Sequence, residues 1–178
     1  TSKKDIEEFM RKLEVLQFDE DVGLWVEFWG GEPLVYWKTL KPLAEAIAEK
    51  FDSWKTKPRF SIITNGSILT DEIIDWLMMM DFSVSMSHDG PGQSVRGDDP
   101  FENPEIKENI DYAVVRLGEK QKMSFNAVLT TKSYDVEKVI SWFKVHCIWC
   151  TGRHDQHLCR KEVSWIFWLK MSCVTAVK

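Results

Sequence analysis

Gly30-Gly31-Glu32-Pro33 puts two glycines, a carboxylate and a proline in a row. The run before it, Leu24-Trp25-Val26-Glu27-Phe28, is apolar and aromatic and reads as a buried strand. The residues after it, Leu34 to Phe51, carry apolar side chains at helical spacing. Paired glycines let the backbone come close to a ligand and take unusual torsions. Pro33 fixes its own torsion and biases Glu32 toward an extended conformation. Glu32 then stands at the carboxyl end of a strand, where β/α folds bind ligands. Turn carbonyls together with a carboxylate would receive a cationic group well.

Three more polar clusters follow. They are Ile62-Ile63-Thr64-Asn65-Gly66, Ser87-His88-Asp89-Gly90-Pro91 with Arg96 downstream, and Asn126-Ala127-Val128-Leu129-Thr130. Each has a structural reading of its own. Asn65-Gly66 is a plain turn signal, and Ser87 a common turn former. Arg96 could be a solvated loop charge. Asn126 interrupts an apolar run and would line an interior; a buried amide needs partners, which neighbours or a ligand can supply. Every cluster lies on or just after a strand, so all would converge on the carboxyl ends of one sheet.

The elements that would place them alternate along the chain. Residues 2–17 read as an amphipathic helix capped by Ser2, with Ile6, Phe9, Met10, Leu13 and Leu16 on one stripe. Strand 24–29 and a helix to Phe51 follow, with Pro42 marking a first turn or a kink. Strand 60–63 leads to a helix opened by Thr70-Asp71-Glu72. Strand 82–86 runs into a loop over 87–103. Asn103-Pro104-Glu105 caps a helix that Gly118 ends. Strand 123–129 and helix 134–143 complete the pattern. Such alternation means parallel strands joined by right-handed crossovers. No Gly-x-Gly-x-x-Gly or Walker pattern appears, so ordinary dinucleotide and triphosphate sites are not indicated.

The 178 residues suffice for one domain with a real core. A net charge of −5 without a basic stripe argues against nucleic acid. No apolar run approaches membrane-spanning length and the start is charged, so neither a membrane span nor a signal peptide is expected, and a cytoplasmic location follows by default. The chain opens at Thr1, as a fragment or processed chain would. Its nine tryptophans fall mostly within apolar runs, as core packing requires.

Taken together, the four clusters resemble the radical S-adenosylmethionine enzymes, in the branch of anaerobic sulfatase maturases and peptide-modifying enzymes. The resemblance covers roughly residues 1–143. It implies a partial (β/α) barrel of parallel strands with outer helices, incomplete at the N-terminus, and an irregular tail over 144–178. It also implies a cofactor-binding set: Gly30, Gly31, Glu32, Pro33, Asn65, Ser87, Asp89, Arg96, Asn126 and Leu129. The Gly30–Gly31 backbone and Glu32 would hold the ammonium of S-adenosylmethionine. Ser87 and Arg96 would hold its carboxylate, a charge-assisted pairing. Strand ends near Asn65 and Leu129 would frame ribose and adenine. Two departures stand out: the spacer Gly92-Gln93-Ser94-Val95 before Arg96 is shorter than usual, and His88 takes a position that is usually apolar. The family's 4Fe-4S cluster needs a Cys-x-x-x-Cys-x-x-Cys loop, which is absent here and expected upstream of Thr1. The complete enzyme would take electrons from a flavodoxin or ferredoxin and abstract hydrogen from a peptide or protein. Alternatives are a β/α ligand-binding domain without turnover, or a metal-binding interaction module.

That last alternative centres on the tail. All four cysteines fall between Cys147 and Cys173. Cys147, Cys150, His154, His157 and Cys159 have zinc- or cluster-type ligand chemistry, though at no recognisable spacing. A tail that is poorly ordered or foreign to the fold is the other reading. Disulfides would be unexpected in a reducing setting.

Overall fold

The computed structural model describes residues 3–19, 21–129 and 135–146, and the backbone of 170–171. Its elements in order are α1 (Lys3–Glu14), β1 (Trp25–Phe28), α2 (Trp37–Lys50), β2 (Arg59–Thr64), α3 (Asp71–Met79) and β3 (Ser83–Ser87). The short α4 (Gln93–Arg96), α5 (Pro104–Gly118), β4 (Met123–Asn126), β5 (Val128–Leu129), α6 (Val136–His146) and β6 (Lys170–Met171) follow. Three 3-10 turns lie between them: Pro33–Tyr36, Gly90–Gly92 and Pro100–Glu102.

β1 to β4 form one parallel sheet in sequential order β1-β2-β3-β4. Right-handed crossovers between sequential parallel neighbours send every connecting helix to the same face. That is the arrangement of a barrel arc, not of a doubly wound sheet, and it matches the expected partial β/α barrel. Aromatic contacts identify the covered face. Phe82 stacks on Phe28 and Phe60 at 5.9 and 5.2 Å and meets Trp76 of α3 at 5.3 Å. Register partners share a face, so Phe60, Ile62, Val84, Met86 and Phe125 all belong to this core. Fully burying side chains such as Ile62, Leu77 and Leu117 contributes about 1.5–3 kcal/mol apiece.

The opposite face follows from the same alternation. It carries Glu27, Ser61, Ile63, Ser83, Ser85, Ser87, Ser124 and Asn126. Parallel sheets are usually apolar on both faces; this one is lined by hydroxyls. Trp25 Nε1 donates to Ser61 Oγ (2.9 Å), which donates to Glu27 Oε1 (3.3 Å).

Several sequence-based boundaries shift. The helix expected from Leu34 begins instead as the 3-10 turn Pro33–Tyr36, and Pro42 lies inside α2. The loop 87–103 contains α4 and two 3-10 turns. The single strand expected over 123–129 is split at Ala127: β4 stays in the main sheet, while Val128–Leu129 pairs in parallel with Lys170–Met171. Thr70 and Asn103 cap α3 and α5 as expected. The proposed cap Ser2, Thr130 and the ligand set Cys147, Cys150, His154, His157 and Cys159 lie outside the described residues. Among the described residues, no helix is long and apolar enough to cross a membrane, and no group of three His, Cys, Asp or Glu side chains could hold a metal ion.

Candidate ligand site at the carboxyl edge of the sheet

The glycine turn leaves β1 with Gly30 at φ +148°, a region that favours glycine. A Cβ at Gly30 or Gly31 would meet nothing within 4 Å, so the turn faces open space. Neither glycine carbonyl has a hydrogen-bond partner among the described residues. Glu32 is extended, at φ −127° and ψ 106°, as Pro33 requires. Its carboxylate turns toward the next strand. Oε1 accepts from Leu34 N (3.1 Å) and Thr64 Oγ1 (2.8 Å), and Oε2 accepts from Asn65 N (2.7 Å). Thr64 is 1% exposed and lies on the helix side of the sheet. Glu32 thus laces the ends of β1 and β2, and all three partners are uncharged.

Asn65 uses its side chain on its own turn. Its Oδ1 accepts from Ser67 N (2.9 Å) and Ser67 Oγ (2.7 Å). The turn is closed by Gly66 at φ +80°, where a Cβ would lie 2.7 Å from Met86 Cε. Asn65 and Arg96 line a shared cleft of about 890 Å³, with Ser67, Asp98 and Glu102 also on its wall.

Ser87 and Asn126 are register partners at the ends of β3 and β4, so their side chains share the open face. Ser87 makes no side-chain hydrogen bond among the described residues. Asn126 Oδ1 is buried and has no partner among the described residues. An unsatisfied buried carbonyl oxygen costs about 1–3 kcal/mol, and a donor arriving on this face would remove that cost.

Asp89 is buried, 5% exposed. Its Oδ1 accepts from Val128 N (2.8 Å), and Oδ2 lies 3.3 Å from Arg96 Nε. This contact explains the break at Ala127, because the carboxylate takes an N–H that a continuous ladder would use. Gln93 braces the same turn: its Oε1 accepts from Asp89 N, and its Nε2 donates to Asp98 O.

His88 is fully buried. Its ring stacks on Trp142 at 4.6 Å and meets the edges of Phe101 and Phe143. Nδ1 accepts from Gly90 N (3.0 Å), and Nε2 pairs with Asp99 Oδ1 (2.9 Å). Burial pushes the imidazole pKa below its ordinary 6.5, against the upward pull of Asp99.

Among the described residues, the expected set therefore forms a continuous edge, of which Asn65 and Arg96 line the cleft. Glu32 contacts Asn65; Asn65 and Arg96 share the cleft; Arg96 pairs with Asp89; Ser87 neighbours Asn126. Leu129 lies beyond the break, in register with Met171. Thr64, Gln93 and Asp99 were not among the expected residues. Only Thr64, within the Ile-Ile-Thr-Asn-Gly cluster, had a local signal.

No protein-family model matches the chain. The radical SAM cyclopropyl synthase TigE of Paramaledivibacter caminithermalis is 31% identical over 123 residues, covering 62% of this chain and 22% of TigE. The chain thus spans about a fifth of that relative's length. Among solved structures, native anSMEcpe with bound AdoMet and Kp18Cys peptide superposes with a TM-score of 0.58 at 21% identity, covering 81% of this chain and 40% of that one. Native anSMEcpe with bound AdoMet gives a TM-score of 0.59, also at 21% identity, covering 80% and 39%. At these identities the structural likeness establishes the fold. In sequence this chain resembles a radical SAM enzyme, and in fold it is similar to the anSMEcpe structures.

Proposed function

We propose that this chain is the S-adenosylmethionine-binding core of a radical enzyme acting on a peptide or protein. The observation that carries the reading is the charge layout along one sheet edge. Among the described residues, the turn after β1 offers two unpartnered carbonyls, backed by a carboxylate whose partners are all uncharged. The loop after β3 offers Ser87 and, beyond it, Arg96. A methionine end carries an ammonium and a carboxylate: the first turn is negative, and the second, though Asp89 balances its guanidinium, offers hydrogen-bond donors. Gly30 and Gly31 carbonyls would accept from the ammonium, with Glu32 behind them supplying negative potential. Ser87 Oγ would donate to the carboxylate, and Arg96 would add its charge. Asn126 Oδ1 would take a donor from the nucleoside, ending its isolation. Pro33, Asn65 and Asp89 would act by shaping the turns, and the backbone near Leu129 would face adenine.

The chemistry that a 4Fe-4S cluster would supply in a complete enzyme of this kind is the electron for reductive cleavage of S-adenosylmethionine to a hydrogen-abstracting 5′-deoxyadenosyl radical. The described residues include no cysteine, so they do not fit the cluster, and thiolates from elsewhere would have to hold it. The hydroxyl-lined face, with Ser61, Ser83, Ser85 and Ser124, would offer hydrogen bonds to a peptide. A flavodoxin or ferredoxin in the reducing cytoplasm would be the electron source.

The test is anaerobic reconstitution of the full-length protein with iron and sulfide, then incubation with S-adenosylmethionine and a reductant. Release of 5′-deoxyadenosine is expected. Binding without nucleoside release would reduce the assignment to a ligand-binding domain. No binding despite an intact cluster would overturn it.

A further inference from the structure

His88 stands where the resembled family usually has an apolar residue, and the structure shows why a histidine fits. The ring fills an aromatic box of Trp142, Phe101 and Phe143. Both of its nitrogens are engaged inside that box. Gly90 N–H points at Nδ1, so Nδ1 is the acceptor and the proton resides on Nε2, where it meets Asp99 Oδ1. Asp99 Oδ1 is held in turn by Phe101 N (2.9 Å). Gly90, at φ +60°, has Val139 of α6 against it. The neighbouring Asp89 reaches Val128 N and Arg96. One ring thus connects the end of β3, the turn Gly90–Gly92, the turn Pro100–Glu102 and α6.

We propose that His88 is a positioning residue for the carboxylate end of the ligand site: as a neutral ring protonated on Nε2, it fixes Gly90 and thereby aims Asp89 and Arg96. This rests on the reading of Ser87 and Arg96 as the carboxylate-binding pair. The consequence is chemical. An imidazolium carries a proton on both nitrogens, so protonation would set Nδ1–H against Gly90 N–H. One of the two donors must move, and the turn bearing Asp89 moves with it. Among the described residues, the charged groups facing the ring are Asp99, Asp89 and Arg96 of the loop. The neighbours on α6, Trp142 and Phe143, are uncharged, with His146 stacked beyond Trp142 at 4.1 Å. Lys107 lies 5.9 Å from the centre of the Phe101 ring. From β4 the Asn126 carbonyl accepts from His88 N (3.1 Å).

Two measurements on the full-length protein decide the matter. Histidine-selective ¹⁵N labelling, with His88 assigned from a His88→Asn variant, reports the tautomer directly. A neutral ring with its proton on Nε2 is expected at pH 7; an Nδ1–H ring or an imidazolium overturns the proposal whatever the variants do. The second measurement is the affinity of the cluster-reconstituted protein for S-adenosylmethionine as a function of pH. It should be flat above the His88 titration and fall about tenfold per pH unit below it. His88→Phe keeps the stack but loses the acceptor, and should weaken binding about tenfold at neutral pH. His88→Asn restores an acceptor that cannot titrate; it should recover most of that loss and abolish the inflection. Asp99→Asn removes the charge that favours the imidazolium and should move the inflection to lower pH. An unchanged inflection in His88→Asn would remove the role of His88 and leave the ligand site standing. Absence of binding by the wild type at every pH would remove the ligand site and this role together.

Discussion

Glu32 and Asp89 occupy equivalent places, each just past the end of a parallel strand, and they do the same mechanical work. Each carboxylate accepts a backbone N–H from another strand end: Asn65 N for Glu32, Val128 N for Asp89. They differ in charge balance. Asp89 is buried against Arg96, so its turn is close to neutral. Glu32 has only uncharged partners, so its turn stays negative. Resemblance to a motif would treat both as ligand-binding residues. On the proposed reading, Glu32 contributes potential to the site, whereas Asp89 holds another residue in place.

The comparison is broken most sharply by deleting each carboxylate. Asp89→Ala should cost about 3 kcal/mol in urea unfolding, since it strands a partly buried guanidinium and the Val128 N–H. Glu32→Ala should cost less, about 2 kcal/mol, because Thr64 Oγ1 and Leu34 N lose a partner at a more open turn. Equal losses would mean that the difference in burial has no energetic weight. Glu32→Gln sharpens the contrast. It keeps an acceptor for Thr64 and Leu34 but loses the charge, so it should lower affinity for S-adenosylmethionine about tenfold while costing only about 1 kcal/mol of stability.

A smaller effect separates the two turns by pH. His88 braces the Asp89 turn and nothing comparable braces Glu32. Its pKa is depressed in the fold by burial, so the unfolded chain protonates first as pH falls below 6.5. Between the folded pKa and 6.5 the unfolded state binds more protons, and stability must rise with pH across that window. The urea midpoint should therefore be full above pH 6.5 and decline on acidification, and the decline should be shallower in His88→Asn. Identical pH profiles for the two proteins would disconnect His88 from the fold.

Local pattern was enough to place β1 to β4 and the long helices, but not α4, the 3-10 turns or the break at Ala127, and it read β1 as buried where Trp25 is exposed. Thr70 and Asn103 cap helices because capping needs only the adjacent backbone. What local pattern could not show depends on register and on distant partners. Glu32 meets Thr64 and Asn65 only once β1 and β2 pair with Phe28 opposite Ile62. Met123 to Leu129 is one apolar run by composition, yet it breaks at Ala127 because Asp89 takes the N–H of Val128. His88 reads as an odd polar residue in a loop until α6 brings Trp142 and Phe143 against it. The serines of β2, β3 and β4 look unremarkable singly; register alone assembles them into one face.

The smallest expected effect falls on Asn65, which sits between the two carboxylates in chain order and whose backbone is tied to one of them. Its side chain closes a local turn onto Ser67, while its N–H, not its amide, is what Glu32 grips. Asn65→Ala removes the local turn bonds and leaves the grip intact. The turn is solvent-exposed, so water can replace the lost partners, and the cost should be about 0.5–1 kcal/mol in urea unfolding. Affinity for S-adenosylmethionine should fall less than in Glu32→Gln. If Asn65→Ala instead weakens binding more than Glu32→Gln does, the amide itself touches the ligand. In that case the negative turn is not what draws the ammonium, and the contrast between Glu32 and Asp89 loses its functional meaning.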